Sequence, residues 1–373
     1  MSFEDVLHRG DDFLGEYPRR SHLWRFLSYT TSITVISLSK LVLNTFFRVN
    51  VDGLSNLQDA LRRSKEEDRG VMTVMNHMSV IDEPFVWGAF PFSIYKSPDD
   101  IRWCLGAHNL CFDTKFHSIF FSLGQVLSTQ RFGAGPFQGA IDASVRLLSP
   151  DSTLKYPEGV LPPIRRSHPS WVHVFPEGFI LQMQPPYANS MRYFKWGITR
   201  MILESTKAPI VVPMFATGFE KIATADEDVT LTESFYQSIG SEINICVDKP
   251  IDDDLIEKYR SEWRELCTKY SKEGDTDLND TLKYGREAQD LRSRLAAELR
   301  EHVADIRHKM NHLPLEDSRF KSPKWWKRFT TTEGKSDPEI HEKFVGLNYA
   351  IKELNNLLDL KPDKKNEESS KRE

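Results

Sequence analysis

The sequence predicts an α/β layer domain followed by a helical extension, on three observations. Short apolar runs bounded by loops recur between residues 70 and 247. Amphipathic periodicity falls between them, and a long charged helix follows a polar break at 273–281. The composition agrees. Of 373 residues, 39% are hydrophobic and 28% charged, with a net charge of −5. That suits one large domain or two ordinary ones and excludes disordered, collagenous and disulfide-stapled classes. Four cysteines are too few for a disulfide framework. The near-balanced charge offers no global attraction to nucleic acid, and none is expected as a partner.

Taken in order, the first residues carry Glu4, Asp5, Asp11, Asp12 and Glu16, which fits neither a signal peptide nor an Arg-rich, acid-poor transit peptide. No cleavable presequence is expected. The stretch Leu23 to Phe47 is apolar but broken by Arg25 and Lys40. The 14 uncharged residues between those two fall short of the ~20 needed to span a bilayer. The expectation is an interfacial helix with snorkelling Arg25 and Lys40, against the plainer one of a helix packed on the core.

Val71–Met75, Trp171–Phe175 and Ile210–Met214 read as buried strands, and Ile243–Val247 alternates like a strand near the sheet edge. Phe194, Ile198, Met201 and Ile202 fall at helical spacing. Residues 150–169, with five prolines, read as an extended loop inserted between sheet elements. Arg286 to Met310 reads as a helix whose stripe is Leu291, Leu295, Leu299, Val303 and Ile306. Residues 361–373 read as a disordered charged tail.

No Gly-x-Ser-x-Gly, Walker, Gly-x-Gly-x-x-Gly or His-Glu-x-x-His motif occurs. What remains is His77-x4-Asp82, directly after the first strand. The same spacing recurs at His108/Asp113 and His312/Asp317, so context must choose. Only the first pair follows a strand and precedes a helix start, marked by Pro84 near residue 83. A loop histidine can fold back on an Asp at a helix N-terminus, leaving one ring nitrogen as a base. The plainer alternative is a loop His beside a capping Asp.

Phe175-Pro176-Glu177-Gly178 lies at a strand's C-terminal end, where α/β sheets place ligands. Glu177 can accept from a substrate hydroxyl or hold a neighbouring loop; otherwise it is a solvated turn residue. Tyr156-Pro157-Glu158-Gly159 repeats the motif with no strand before it. Arg131 enters a glycine loop, an arrangement that suits phosphate as well as it suits an ordinary surface turn. Arg192 and Lys195 are further candidates for phosphate contacts. Cys104, His108, Cys111 and His117 match no standard zinc spacing, and no metal is expected. Lys321, Lys324, Trp325, Trp326, Lys327 and Arg328 suit either an anionic membrane interface or a packed turn.

The ordered set of His77-x4-Asp82, the Gly124-to-Arg131 segment, Phe175-Pro-Glu-Gly178 and Val211-Val212-Pro213 resembles the four blocks of the phospholipid/glycerol acyltransferase superfamily. The resemblance implies a central mixed sheet flanked by helices, and acyl transfer with His77 as general base and Asp82 as its partner. It also implies that Arg131 and Glu177 with Gly178 bind substrate. Further segments, "WCLGAHNLCF" and "MRYFKWGITRMILE" among them, resemble its transacylase branch. That branch implies CoA-independent exchange between phospholipids, such as phosphatidylcholine, and monolysocardiolipin, giving cardiolipin without a cofactor. It implies a monotopic protein on mitochondrial outer and inner membranes facing the intermembrane space, with association with membrane complexes there. Residues 1–50 would then dock on the membrane, 51–272 form the acyltransferase domain and 273–360 the helical extension. Phe179-Ile180 stands where many members have Thr/Ser-Arg, so Arg192 and Lys195 are the substitutes for a headgroup-binding arginine. An acyl-CoA-dependent enzyme, a phospholipase and a non-catalytic membrane assembly protein stay open.

Overall fold

The computed structural model describes residues 21–130, 135–154, 164–183, 187–224, 228–272, 277–310, 313, 315–326 and 344–345. Helix α1 (His22–Phe46) leads into strand β1 (Arg48–Asp52), helix α2 (Leu54–Glu67) and strand β2 (Val71–Met75). Next come α3 (Asp82–Ala89), β3 (Trp103–Ala107), α4 (Lys115–Leu123), β4 (Val126–Thr129) and α5 (Gly139–Leu148). Then follow β5 (Trp171–Val174), β6 (Gln182–Met183), α6 (Gly197–Glu204) and β7 (Ile210–Thr217). After α7 (Leu231–Ser238) and β8 (Glu242–Val247), α8 (Asp253–Tyr270) and α9 (Arg286–Met310) complete the layers.

Among the described residues the main sheet has seven strands in the order β1-β8-β7-β2-β5-β3-β4. Its pairings are parallel except β7 with β8, so the sheet is mixed. Strand β2 sits at the centre and all five of its residues are buried, because helices cover both faces. Alternation divides them: Met72 and Val74 join the core under α5, α6, α8 and α9, while Val71 and Met75 join that under α1, α2 and α3. The predicted stripe of α9, Leu291 to Ile306, is buried in full.

Four strands agree with the apolar runs. Strands β1 and β3 were not expected; RVNVD and WCLGA mix polar and apolar residues too evenly to stand out, while β4 falls in the Gly124-to-Arg131 segment, whose strand propensity leads into the arginine. Strand β8 lies near the edge as expected, with β1 alone outside it. The helix expected from Phe194 begins at Gly197, because the Lys195 amide is tied to the Pro176 carbonyl at 2.8 Å. The 150–169 loop does connect α5 to β5; of it, residues 155–163, and with them Glu158 and Gly159, lie outside the described residues. So does the 361–373 tail.

Helix α1 inverts the usual polarity of a surface helix. Its inward stripe contains Ser28, Ser32, Ile36, Ser39 and Leu43, while Leu23, Phe26, Leu27, Leu38, Leu41 and Phe46 are exposed. Small residues let it lie close on α3: a Cβ at Gly88 would come within 2.7 Å of the Ser39 Cβ. Arg25 and Lys40 do not snorkel. Arg25 pairs with Asp99 at 2.9 Å, and the Lys40 ammonium donates to the Gly88 and Phe90 carbonyls at 3.0 and 2.9 Å. Both charges face the domain, where these acceptors hold them.

The indoles of the Lys321–Arg328 cluster also turn inward. Trp325 and Trp326 are buried with Phe179, Leu181, Met183 and Phe320, and Trp326 Nε1 donates to the Phe320 carbonyl at 2.7 Å. They form a small core, not an interfacial aromatic belt. Lys327 and Arg328 lie outside the described residues.

Candidate active site

The C-terminal end of β2 builds the centre of the site. Asn76 continues the strand with its side chain, exchanging hydrogen bonds with the Ala216 backbone at 3.0 and 2.9 Å. The chain then turns away from the sheet and His77 projects from the loop. Asp82, the first residue of α3, is fully buried. Its Oδ2 accepts from His77 Nδ1 at 2.9 Å and from the amides of Met78 and Ser79 at 2.7 and 3.0 Å. One oxygen therefore orients the imidazole and also folds the loop that carries it. With Nδ1–H donated to the carboxylate, Nε2 holds the lone pair. The Phe175 ring stacks on the imidazole at 4.2 Å and 19°.

Beneath this pair lies a histidine that sequence spacing did not flag. His173 is buried on β5, with Nδ1 2.8 Å from Thr73 Oγ1, and Thr73 Oγ1 also accepts from Trp171 Nε1 at 2.9 Å. Burial pushes His173 well below its ordinary value, so it stays neutral. It backs the Phe175 ring edge-on at 4.5 Å.

Glu177 is buried, which excludes a solvated turn. Its Oε1 accepts from the His77 amide at 2.9 Å and its Oε2 from the Arg192 amide at 3.0 Å. Burial raises its pKa to about 7, against the two backbone amides and the charges of Arg192 and Arg300, which pull it down. Both oxygens are engaged, so the loop-holding reading is the one its geometry matches. Gly178 takes a positive φ of 82°, a backbone that favours glycine, and its position packs against the Lys195 stem.

Arg192 departs from expectation. Its guanidinium is fully buried over Phe179 at 4.1 Å, Tyr193 at 4.6 Å and Trp326 at 5.3 Å. Three rings from separate segments enclose it, away from the cavity where a phosphate contact was expected. Lys195 does line the cavity, with its ammonium donating to the Tyr193 hydroxyl at 2.8 Å. Arg131 lies outside the described residues; beside it, Gln138 bridges Gln130 and Gly135, closing the neck of that loop.

His77, Phe175 and Gly178 open onto a cavity of about 1180 Å³. That exceeds the ~300–1,000 Å³ usual for small-molecule pockets. Val35 of α1 and Leu110, Phe120 and Phe121 near α4 line it with apolar groups; Lys195 and Lys321 bring charge. Glu83 and Arg102 also line it. They form an ion pair at 2.5 Å, buried on the arginine side, that nothing in their 19-residue separation signals.

The His108/Asp113 spacing does not make such a site. His108 Nδ1 meets Ser128 Oγ at 2.8 Å, not Asp113, and Asp113 instead pairs with His117 on the surface. His312 lies outside the described residues.

A family model described as Acyltransferase matches residues 48–216, which span β1 through β7. The chain is 60% identical over 372 residues to tafazzin of Saccharomyces cerevisiae, covering 96% of this chain and 97% of that one. A protein of Dictyostelium discoideum named Taffazin is 31% identical over 241 residues, 63% of this chain and 74% of the relative. N-acylphosphatidylethanolamine synthase of Arabidopsis thaliana is 30% identical over 204 residues, 55% of this chain and 63% of its own. The chain belongs to the tafazzin family and is a phospholipid acyltransferase.

Proposed function

We propose that this acyltransferase moves acyl chains directly from a phospholipid to a lysophospholipid, with His77 as general base held by Asp82. The observation that carries the reading is the 2.9 Å contact between His77 Nδ1 and a buried carboxylate, at the wall of a large, mainly apolar cavity. A lysolipid hydroxyl is a weak nucleophile. His77 Nε2 takes its proton as the oxygen attacks the donor ester, a contribution of about 10²–10⁴-fold. Collapse of the tetrahedral intermediate breaks the donor ester, and the imidazolium returns the proton to the departing lysolipid oxygen. One ester replaces another, so the exchange balances without CoA or nucleotide. Lys195, with Arg131 and Gly178, would bind the phosphate end of the substrate, and Glu177 would hold His77 in place.

Monolysocardiolipin and phosphatidylcholine are the substrates that the sequence resemblance favours, at mitochondrial membranes facing the intermembrane space. The reversed polarity of α1 supports residues 1–50 as the docking segment, with 51–272 carrying the chemistry and 273–360 as the helical extension. The test mixes the purified protein with vesicles of monolysocardiolipin and acyl-labelled phosphatidylcholine, without CoA. Label in cardiolipin with matching lysophosphatidylcholine is expected. Label only in free fatty acid would mean hydrolysis, and transfer only on addition of acyl-CoA would place the chain among CoA-dependent enzymes.

A further inference from the structure

Helix α9 carries three buried arginines, Arg292, Arg300 and Arg307, spaced to fall on one helix face. Two of them grip the segment that enters the site. Arg300 donates from Nε to the Arg192 carbonyl at 2.9 Å and from Nη2 to the Met191 carbonyl at 2.7 Å. Arg307 donates to the Asn189 carbonyl at 2.8 Å. Glu316, beyond the end of α9, closes the clamp: Oε2 accepts from Arg300 at 2.7 Å and Oε1 from the Met191 amide at 2.5 Å. The Arg300 and Glu316 side chains are each only 2% exposed. A buried ion pair is weak as a stabiliser, since desolvation offsets most of its attraction. Plain fastening does not account for placing one here.

What the clamp holds is one residue from the site. The gripped Arg192 donates its amide to Glu177, and the other oxygen of Glu177 accepts the amide of His77. On the far side of His77, its carbonyl accepts from the Leu181 amide at 2.9 Å. Asp82 fixes the imidazole, while this second path fixes the backbone from which the imidazole hangs.

We propose that Arg300 and Glu316 are positioning residues for acyl transfer, acting through Arg192 and Glu177 on the His77 backbone, so that the C-terminal extension sets the geometry of the base. The inference rests on His77 being that base. A fastener and a positioning device differ in what their loss does to folded protein: the first lowers only the folded fraction, the second lowers turnover. Displacing a reacting group by about 1 Å can cost on the order of 10²-fold.

The test uses the full chain as Arg300→Lys, Glu316→Gln, Glu177→Gln, His77→Ala and the double variant Arg300→Lys/Glu177→Gln. Each is melted by circular dichroism and assayed on vesicles of acyl-labelled phosphatidylcholine with a varied fraction of lysophospholipid. Lysine keeps the charge at 300 but cannot make both bonds of the guanidinium fork. In folded protein, kcat is expected to fall roughly 10- to 100-fold for Arg300→Lys and Glu316→Gln, with KM little changed. The double variant should be no worse than the lower single, because both act on one path. Wild-type kcat in both clamp variants, losses that multiply in the double, or losses that track the unfolded fraction would each overturn the proposal. If His77→Ala transfers at the wild-type rate, the base reading falls and the proposal falls with it. A dead His77→Ala beside unaffected clamp variants removes the clamp alone.

Discussion

Two histidine–aspartate pairs in this molecule have nearly the same contact and different surroundings. His77 Nδ1 lies 2.9 Å from Asp82, and His117 Nδ1 lies 2.6 Å from Asp113. The second is the shorter, yet both its side chains are more than 40% exposed, one turn apart at the start of a surface helix. Asp113 has its hydrogen bond from His117, which holds it below the usual carboxylate range, and little else. Asp82 is enclosed and accepts two further backbone amides, and its histidine stacks on the Phe175 ring. A solvated ion pair of the second kind contributes little and loosens with salt. The distance does not distinguish the two pairs; the groups around each carboxylate do.

The comparison is broken most strongly at the histidines. His77→Ala should reduce acyl transfer by about 10²–10⁴-fold with vesicle binding and fold retained. His117→Ala should leave the rate unchanged, and equal effects in a vesicle assay would dissolve the distinction. Next are the carboxylates. Asp82→Asn replaces an acceptor of three hydrogen bonds in a buried site, and should lower both the rate and the unfolding free energy, the latter by about 1–3 kcal/mol. Asp113→Asn should do neither, as read by urea melts and initial rates.

Glu177 sharpens the comparison through pH. Burial raises it from 4.5 to about 7, so the folded state takes up this proton before the unfolded chain does. Its contribution to stability is therefore full below about 4.5 and lost as pH rises through 7. Activity should run the other way, because protonation turns one accepting oxygen into a hydroxyl and releases an amide on the His77 path. Glu177→Gln should flatten the stability slope between those values and remove this limb from the rate profile; an unchanged slope in pH-dependent melts would refute the assignment.

A last effect, on binding and not on turnover, concerns the surface on which the second pair sits. Phe116, Ile119 and Phe120 of α4 are exposed near the cavity mouth. Phe116→Ser should weaken sedimentation with vesicles by the equivalent of about 1.5–3 kcal/mol, while His117→Ala leaves it alone.

How much of this was legible follows from how local each signal is. Strand β2 stood out because four apolar residues flank a single Thr73 and all five are buried, whereas RVNVD became β1 only because β8 lies beside it. The dyad was legible because its partners are five residues apart with a helix start between them. Glu177 was legible as a residue but not as a role, since its two donors lie 100 and 15 positions away. Arg192 read as a candidate phosphate contact. Phe179, Tyr193 and Trp326, drawn from three segments, make it an interior cation. The Arg300 clamp had no sequence signature, because two of its acceptors are backbone carbonyls, which every residue has, and the carboxylate of Glu316 lies 16 positions away.

The central position of β2 has a consequence in time. Val71 pairs with Trp171 on one side and Ile210 on the other, so the strand that carries the site is made long before either neighbour. At roughly 5–20 residues per second, the second neighbour follows the first strand by about 7–28 s of synthesis. For that interval Val71–Met75 is an unpaired apolar edge, the kind of segment that seeks partners in other chains. Slow, long-range closure of this sheet makes the newborn chain more vulnerable than the finished one. Substitutions in β5 or β7 that barely change the melted protein could still reduce how much of it a cell accumulates.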